Sequence, residues 1–214
     1  HCVDLVSDGD RVDMLLGKPV DDSGRTGFFH RRSNDGGATW TEAVRVDPAN
    51  SPAVAKHGRG HDARLAVNGD HLTAVWTLKA EGPLGSGPLS IAYSSDGGAT
   101  WRQGESPSGD APATGARFPA IVATDGEVHA VWIHAVGQER ALRASASKDH
   151  GKTWTKPVVV DPVICACCWN TLRAGQDGKV YALYRNHNRS DMHLAVRNAE
   201  GDWQLKGAVG AFDW

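Results

Sequence analysis

The sequence predicts an all-β protein, a β-propeller of four-stranded antiparallel blades, with about four blades in this chain. Three observations support this fold class: an eight-residue turn motif occurs three times, a strand-turn-strand pattern occurs four times, and turn residues are abundant. The 214 residues include 25 glycines and 10 prolines, and 40% of residues are hydrophobic. This composition is typical of a globular chain made of many short strands.

The turn motif fits the pattern S-x-D-x-G-x-T-W. It reads SNDGGATW at 33–40, SSDGGATW at 94–101 and SKDHGKTW at 147–154, so successive copies start 61 and 53 residues apart. Each copy follows an alternating apolar and polar run, which places it in a hairpin turn. We expect the carboxylate to accept N–H groups of the turn, a glycine to supply positive φ and the tryptophan to pack under the loop. The structural residues of the three copies are Asp35, Trp40, Asp96, Trp101, Asp149 and Trp154.

The second repeated pattern is a strand, an Asn-Gly or Asp-Gly turn and another strand. Such pairs are favoured two-residue hairpin turns, and their glycines here are Gly9, Gly69, Gly126 and Gly178. Four units follow, at about 1–56, 57–112, 113–162 and 163–214, the last with a decayed turn motif at 197–203. Four-stranded units repeated at about 50 residues are typical of propeller blades.

The three motifs resemble the Asp-box (BNR) repeats of the sialidase-like superfamily, and the resemblance covers nearly all of the chain. Members usually close six or more blades, so the resemblance implies that these four units belong to a larger ring, with a small four-bladed ring as the alternative. An open propeller exposes two sheet edges, which predicts self-association. The superfamily includes both hydrolases and lectin-like binders, so the resemblance implies a fold and leaves the function open.

Charge and hydropathy argue against two classes of partner. The formal net charge is -2 and the pI is about 6.6, so the sequence predicts no nucleic-acid or anionic-membrane ligand. No apolar run approaches the ~20 residues that span a bilayer. The first ten residues, HCVDLVSDGD, lack the regions of a signal peptide. We nevertheless expect a secreted or periplasmic protein.

Three of the four cysteines lie in the run CACCW at 165–169. Thiolates this close together can bind one soft ion, Cu(I) or Zn(II), with help from histidine. Alignment on the turn glycines brings this run near other thiol and imidazole groups at the beginnings of the inner strands. The predicted metal ligands are therefore Cys165, Cys167, Cys168, His61, His1 and Cys2. The alternatives are a disulfide, for instance between Cys2 and one member of the run, or buried thiols.

The run also resembles a subset of bacterial Asp-box proteins with C-x-C-C-W, a strand ending in Tyr-Arg and a later Cys-Pro segment. The matching residues here are Cys165, Cys167, Cys168, Trp169, Tyr184 and Arg185. The Cys-Pro segment is absent from this sequence. This resemblance therefore implies where a site lies without implying a reaction.

Sialidases use three arginines to clamp a carboxylate, a tyrosine nucleophile paired with a glutamate, and an aspartate as acid/base. The candidates in this chain are Arg64, Arg117, Arg173, Tyr184 and Asp62. Residues 117–119, Arg-Phe-Pro, resemble the Arg-Ile-Pro of sialidases but precede the third motif, and no glutamate is clearly placed to pair with the tyrosine. Three functions stay open: a module that binds a small molecule, glycan or metal, a sialidase-like glycoside hydrolase, and an interaction scaffold with a structural disulfide.

Overall fold

The computed structural model describes residues 2–48, 56–57, 60–61, 63–80, 86–109, 115–187 and 191–210. These residues form four antiparallel sheets of four strands each and one further sheet of two strands. Across the described ranges, no helix is long and apolar enough to cross a membrane. The predicted all-β fold of four-stranded blades is confirmed.

Each blade is a meander whose strands follow one another in the chain. Blade 1 contains β1 (Cys2–Asp8), β2 (Arg11–Pro19), β3 (Thr26–Ser33) and β4 (Val44–Arg45). The two-stranded sheet contains β5 (Lys56–His57) and β6 (Gly60–His61). Blade 2 contains β7 (Ala63–Asn68), β8 (His71–Lys79), β9 (Ser86–Ser94) and β10 (Arg102–Gln103).

Blades 3 and 4 repeat the same order. Blade 3 contains β11 (Ala116–Ala123), β12 (Val128–Val136), β13 (Glu139–Ser147) and β14 (Val158–Asp161). Blade 4 contains β15 (Thr171–Ala174), β16 (Val180–Arg185), β17 (Met192–Arg197) and β18 (Trp203–Gly210). One four-stranded sheet lies within each predicted unit, while the division of the chain into domains stays a prediction.

The first strands of successive blades lie side by side: β1 beside β7, β7 beside β11, and β11 beside β15. The turn after each first strand contains a glycine with positive φ, at 58°, 56°, 94° and 74° for Gly9, Gly69, Gly126 and Gly178. Glycine adopts this backbone without a steric cost. The repeated turns therefore keep the four first strands in equivalent positions around a channel.

The hydrophobic core is divided among three clusters, each between two neighbouring blades. Trp76 and Trp132 occupy corresponding second strands, β8 and β12, and are almost completely buried. Between blades 1 and 2 the rings of Phe28 and Trp76 lie 5.5 Å apart, in a tilted arrangement. Burial of a large apolar side chain contributes about 1.5–3 kcal/mol. Contacts between blades, rather than a core within one sheet, thus stabilise the fold.

Each turn motif connects the third and fourth strands of its blade and is closed by its own side chains. In the first copy, Asp35 Oδ1 accepts the N–H of Thr39 at 2.8 Å, and Trp40 Nε1 donates to the carbonyl of Gly37 at 2.9 Å. The hydroxyl and the N–H of Thr39 hold the pKa of Asp35 at about 2. The second and third copies repeat these hydrogen bonds. The motifs therefore fasten the outer strands and leave the channel to other residues.

Candidate functional site

Four equivalent positions of the first strands face a common cavity. They lie five residues before the turn glycines and are Asp4, Arg64, Ile121 and Arg173. All four line a cavity of about 660 Å³, which β1, β7, β11 and the segment 169–173 enclose. The propeller repeat therefore brings two of the sequence-predicted arginines, Arg64 and Arg173, to one site.

The two guanidinium groups of this cavity have no carboxylate partner among the described residues. Each donates instead to the carbonyl oxygen of the preceding residue, from Arg64 Nη1 at 2.7 Å and from Arg173 Nη1 at 2.9 Å. Asp4, the one carboxylate among the described lining residues, accepts the N–H of Leu65 at 2.8 Å. The described lining of the cavity therefore carries a net positive charge, which suits an anionic ligand.

Trp169 forms one wall of the cavity and orients the nearer arginine. The guanidinium of Arg64 lies 5.0 Å from the centre of the Trp169 ring, within cation–π range. Behind it, the Phe118 ring lies 4.9 Å from that of Trp169. This stack restricts the conformations of Arg64 and so reduces the entropy that a ligand would have to remove.

Asn170 adds an unsatisfied acceptor to the same wall. Its Nδ2 donates to the carbonyl of Phe118 at 2.8 Å. Its Oδ1 is buried and has no hydrogen-bond partner in the part of the chain that the structure describes. A buried polar atom without a partner is uncommon in folded proteins. The wall thus holds a buried acceptor that no described donor satisfies.

The cysteine run forms a short loop between β14 and β15. Cys165 and Cys168 are joined by a disulfide, and Cys167 is an exposed free thiol. The Sγ atoms of Cys165 and Cys167 lie 3.4 Å apart. All three sulfur atoms lie within 4.8 Å of one another. The alternative of a disulfide is thus present within the run, and the three sulfurs are also close enough to share one ion after reduction.

Blade 4 and blade 3 both hold this loop in place. The N–H of Cys165 donates to the carbonyl of Arg185 at 2.9 Å, and Arg185 Nη1 lies 3.6 Å from Cys168 Sγ. Arg117 is buried and donates through Nη1 to the carbonyl of Ala166 at 3.3 Å. Arg117, predicted as part of an arginine clamp, therefore contacts the cysteine loop and does not line the channel cavity.

A second cavity, of about 600 Å³, borders the loop, and none of its described lining residues belongs to a first strand. We call it the thiol cleft, and its basic and sulfur-bearing lining residues are Arg140, His187, Cys165 and Cys167. Its remaining lining residues are Gln138, Pro162, Val163, Ile164 and Ala166. Cys167 is therefore accessible from a cleft large enough for a small molecule.

Tyr184 is not brought to the channel. It lies on β16, the second strand of blade 4, where its side chain is almost fully buried and its hydroxyl donates to Asp161 Oδ2 at 2.7 Å. Burial, followed by this hydrogen bond, raises the pKa of Tyr184 far above its ordinary value. Asp161 also accepts Nδ2 of Asn186 at 3.2 Å. This geometry fits a structural tyrosine beneath the cysteine loop rather than an ionised nucleophile.

Four other predicted site residues are not placed by the structure. His1 and Asp62 lie outside the described residues. Cys2 lies in β1 and His61 in β6, and for these two residues only the backbone is described. Their predicted metal-binding and acid/base roles stay predictions.

Sequence reasoning did not identify Asp4 as a channel residue or Trp169 as the support of an arginine. The offset of five residues before each turn glycine was available in the sequence and would have found Asp4. The contact of Trp169 with Arg64 joins residues 105 positions apart on different blades. A local sequence pattern cannot predict a contact between residues so far apart in the chain.

The four blades and the cationic channel define a β-propeller with a ligand-sized pocket at its centre. The chain belongs to the BNR repeat-like domain family, whose model matches residues 15–206. The predicted resemblance to Asp-box repeats is therefore confirmed. A search of curated proteins found no match.

Solved structures share the fold at low sequence identity. The chain is similar to the GH43 protein BlXynB from Bacillus licheniformis, with TM-score 0.53 and 11% identity over 97% of this chain and 43% of that one. It is similar to a xylan beta-1,4-xylosidase from Bacillus halodurans, with TM-score 0.57 and 9% identity over 94% and 42% of the two chains. It is also similar to NanB with Optactamide, with TM-score 0.57 and 18% identity over 85% of this chain and 28% of that one. The chain thus spans less than half the length of these proteins.

Proposed function

We propose that this chain is an extracytoplasmic binding module whose channel cavity takes a carbohydrate bearing a carboxylate. One observation carries the proposal: Arg64 and Arg173 occupy equivalent blade positions, face one cavity and have no carboxylate partner among the described residues. Guanidinium groups bind carboxylates through paired, charge-assisted hydrogen bonds. The names of similar structures, which include xylosidases, support a sugar as the ligand class.

The cavity chemistry favours binding over hydrolysis. Glycoside hydrolysis generally requires two carboxyl groups flanking the scissile bond. Among the described lining residues, Asp4 is the one carboxylate, and its Oδ2 is already engaged by the N–H of Leu65. Tyr184 is bound to Asp161 in the core. A glycosidase in this chain would therefore need acid/base groups beyond those that line the described channel.

The disulfide supports the extracytoplasmic part of the proposal. Disulfides form and persist in secreted and periplasmic proteins and are rare in a reducing cytosol. The bond between Cys165 and Cys168 therefore fits an oxidising compartment. Expression with and without export to the periplasm, followed by a count of free thiols, tests this point. Equal thiol counts with full stability in the cytosol would contradict it.

Calorimetric titration with matched acidic and neutral oligosaccharides tests the channel proposal. We expect a sialylated or glucuronate-bearing oligosaccharide to bind and its neutral counterpart to bind at least about tenfold more weakly. A hydrogen bond to a charged group is worth about 1.5–3 kcal/mol, so Arg173→Gln and Arg64→Gln should each weaken binding by about ten- to a hundredfold. Arg102→Gln, an exposed arginine on β10, is the matched control and should bind as the wild type does.

Two results would overturn the proposal. Equal affinity for the acidic and neutral sugars would remove the guanidinium groups as the recognition element. Release of a reducing sugar or of a fluorogenic leaving group from a glycoside panel would identify a hydrolase instead. Loss of that turnover in Tyr184→Phe, with the fold preserved, would restore the sialidase-like alternative.

A second candidate function is soft-metal binding by the reduced cysteine loop. The supporting observation is that the Sγ atoms of Cys165, Cys167 and Cys168 lie within 4.8 Å of one another. Three thiolates suit Cu(I), whereas structural Zn(II) prefers a fourth ligand. His187 lines the same cleft as two of the cysteines and is therefore a candidate for that position.

Metal analysis of protein purified under reducing conditions tests this candidate. We expect about one copper or zinc ion per chain in the wild type and none in the Cys167→Ser, Cys168→Ser double variant. The Asp35→Asn variant, altered far from the loop, is the control and should keep the metal. Absence of metal from the reduced wild type would overturn this function.

We also propose that the chain self-associates through the uncovered side of its first turn motif. Gly98 and Gly151 of the second and third motifs pack against His30 and Thr73 of the preceding blade. In the first motif, the nearest described atom to a side chain placed at Gly37 belongs to the motif's own Trp40. No described residue of another blade thus covers the corresponding surface of the first motif, and the proposed partner for that surface is a second copy of the chain.

A further inference from the structure

We infer that the cysteine loop, residues 165–168, is a thiol–disulfide exchange site that reacts with small thiols carrying carboxylates. The inference rests on the oxidised loop that the structure contains. The exchange site does not depend on the channel proposal. It also differs from the metal-binding candidate, which concerns the fully reduced loop. The channel proposal, the metal-binding candidate and the exchange site can therefore each fail without the other two.

The first support is the position of the free thiol. Exchange proceeds when a thiolate attacks one sulfur of a disulfide. Cys167 Sγ lies 3.4 Å from Cys165 Sγ, and Cys165 is bonded to Cys168. Cys167 is exposed to solvent, which can accept its proton. An attacking sulfur and a disulfide are therefore neighbours in the folded protein.

The second support is the group beside the sulfur that would leave. Arg185 Nη1 lies 3.6 Å from Cys168 Sγ. A nearby positive charge favours the thiolate form of a cysteine, and a better stabilised thiolate leaves faster. The guanidinium is thus placed to favour cleavage on the Cys168 side, while attack occurs on Cys165.

The internal step is balanced without an oxidant or reductant. Cys167 loses its proton to solvent, and its sulfur forms a bond to Cys165 Sγ. The bond between Cys165 and Cys168 breaks, and its electron pair stays on Cys168 as a thiolate beside Arg185. The products are one disulfide and one thiol, as in the reactants.

The thiol cleft is the third support because it admits an external thiol. Arg140 and His187 line it together with Cys165 and Cys167. The guanidinium of Arg140 favours a thiol that carries carboxylates. In the external step, the small thiolate attacks Cys165, forms a mixed disulfide and releases the Cys168 thiolate. A second small thiolate then attacks the sulfur of the small molecule in that mixed disulfide and releases the Cys165 thiolate. The products are the small disulfide and two protein thiols, Cys165 and Cys168.

The loop is also held firmly enough for its sulfurs to exchange in place. The N–H of Cys165 is bonded to the carbonyl of Arg185, and Arg117 holds the carbonyl of Ala166. Backbone anchors on both sides keep the three sulfur atoms together when one bond replaces another. Exchange therefore requires no unfolding of blade 4.

Alkylation with peptide mapping tests the internal step. The native protein is treated with a chelator but no reductant, labelled with iodoacetamide and mapped by tandem mass spectrometry. We expect label on both Cys167 and Cys168 in the wild type, with the Cys168 share reduced severalfold in Arg185→Gln. In Cys167→Ser the attacking thiol is absent, so Cys168 should remain unlabelled. Arg102→Gln is the control and should match the wild type.

Label confined to Cys167 in the wild type would overturn the internal exchange. Label on Cys168 in Cys167→Ser would also overturn it, because the disulfide would then be absent or opened by another route. The external step is tested with reduced glutathione against 2-mercaptoethanol as probes. We expect Arg140→Gln to slow reduction by glutathione severalfold and to leave reduction by 2-mercaptoethanol unchanged. Equal rates for both thiols in both proteins would contradict a carboxylate preference.

Discussion

At the scale of single residues, the turn motifs are predictable because their hydrogen bonds are local. Asp96 Oδ1 accepts the N–H of Thr100, four positions along the chain. A pattern spread over eight residues contains both partners, so the sequence alone indicates the contact. His150 is the exception in the third motif: it adopts φ of 60° where the other motifs have glycine, and its ring stacks on that of His71 at 3.6 Å.

Buried groups with distant partners could not be predicted in this way. The Tyr184 hydroxyl donates to Asp161, 23 positions earlier in the chain. On sequence alone Tyr184 is therefore a candidate nucleophile, although its hydroxyl faces a buried carboxylate. The hydrogen-bond partner of Tyr184 depends on how strands of blades 3 and 4 pack against each other, which no local pattern contains.

His129 gives the protein a stability that depends on pH. Burial lowers the pKa of His129 to about 4, with the charge of Arg197 adding to the effect and Glu127 opposing it. The unfolded chain takes up this proton near pH 6.5 and the folded chain only near pH 4, so stability is lost as pH falls through that window. We expect the free energy of unfolding to fall by about 3 kcal/mol from this group between pH 7 and pH 4.

Urea denaturation at several pH values measures this loss. His129→Gln should show a weaker pH dependence than the wild type between pH 6.5 and pH 4. The exposed His187 serves as the control, and His187→Gln should keep the wild-type dependence. Parallel curves for the wild type and His129→Gln would contradict the proposed cause.

At the scale of elements, the second and third turn motifs also join their blade to the preceding one. A side chain added at Gly98 would overlap the His30 ring of blade 1, whereas the nearest described atom to one added at Gly37 belongs to Trp40, at 3.7 Å. Both glycines have similar positive φ, 89° and 94°, so the backbone cost of alanine is the same. We expect Gly98→Ala to destabilise the protein by about 1–3 kcal/mol more than Gly37→Ala.

Thermal unfolding of the two variants measures the difference. A lower melting temperature for Gly98→Ala than for Gly37→Ala supports motif docking between blades. Equal melting temperatures would show that the second motif does not pack against blade 1. The comparison needs no assumption about positive φ because both variants share it.

The sequence predicts the inner strands and their turn glycines. It predicts only some of the residues that line the channel. All three predicted arginines lie on first strands, Arg64 on β7, Arg117 on β11 and Arg173 on β15. Arg117 lies nine residues before its turn glycine rather than five, and it bonds to the cysteine loop instead of lining the channel cavity. Position along a strand decides whether a side chain enters the channel or an interface between blades.

At the scale of the whole molecule, the proposed self-association uses the side of the first motif that no described residue of another blade covers. We expect native mass spectrometry or sedimentation velocity to show a dimer whose fraction rises with concentration, because the contact is made between separate chains. A monomer at every concentration tested would contradict this prediction. The result is independent of ligand binding in the channel.

We propose that the channel recognises a carboxylate through Arg64 and Arg173, which occupy equivalent positions of two blades. A crystal structure with a glucuronate-bearing or sialylated oligosaccharide tests this recognition. We predict that the carboxylate lies in the cavity of about 660 Å³, within hydrogen-bond distance of the guanidinium of Arg64 or Arg173. A sugar bound elsewhere, or bound in the channel with its carboxylate directed away from both arginines, would contradict the claim.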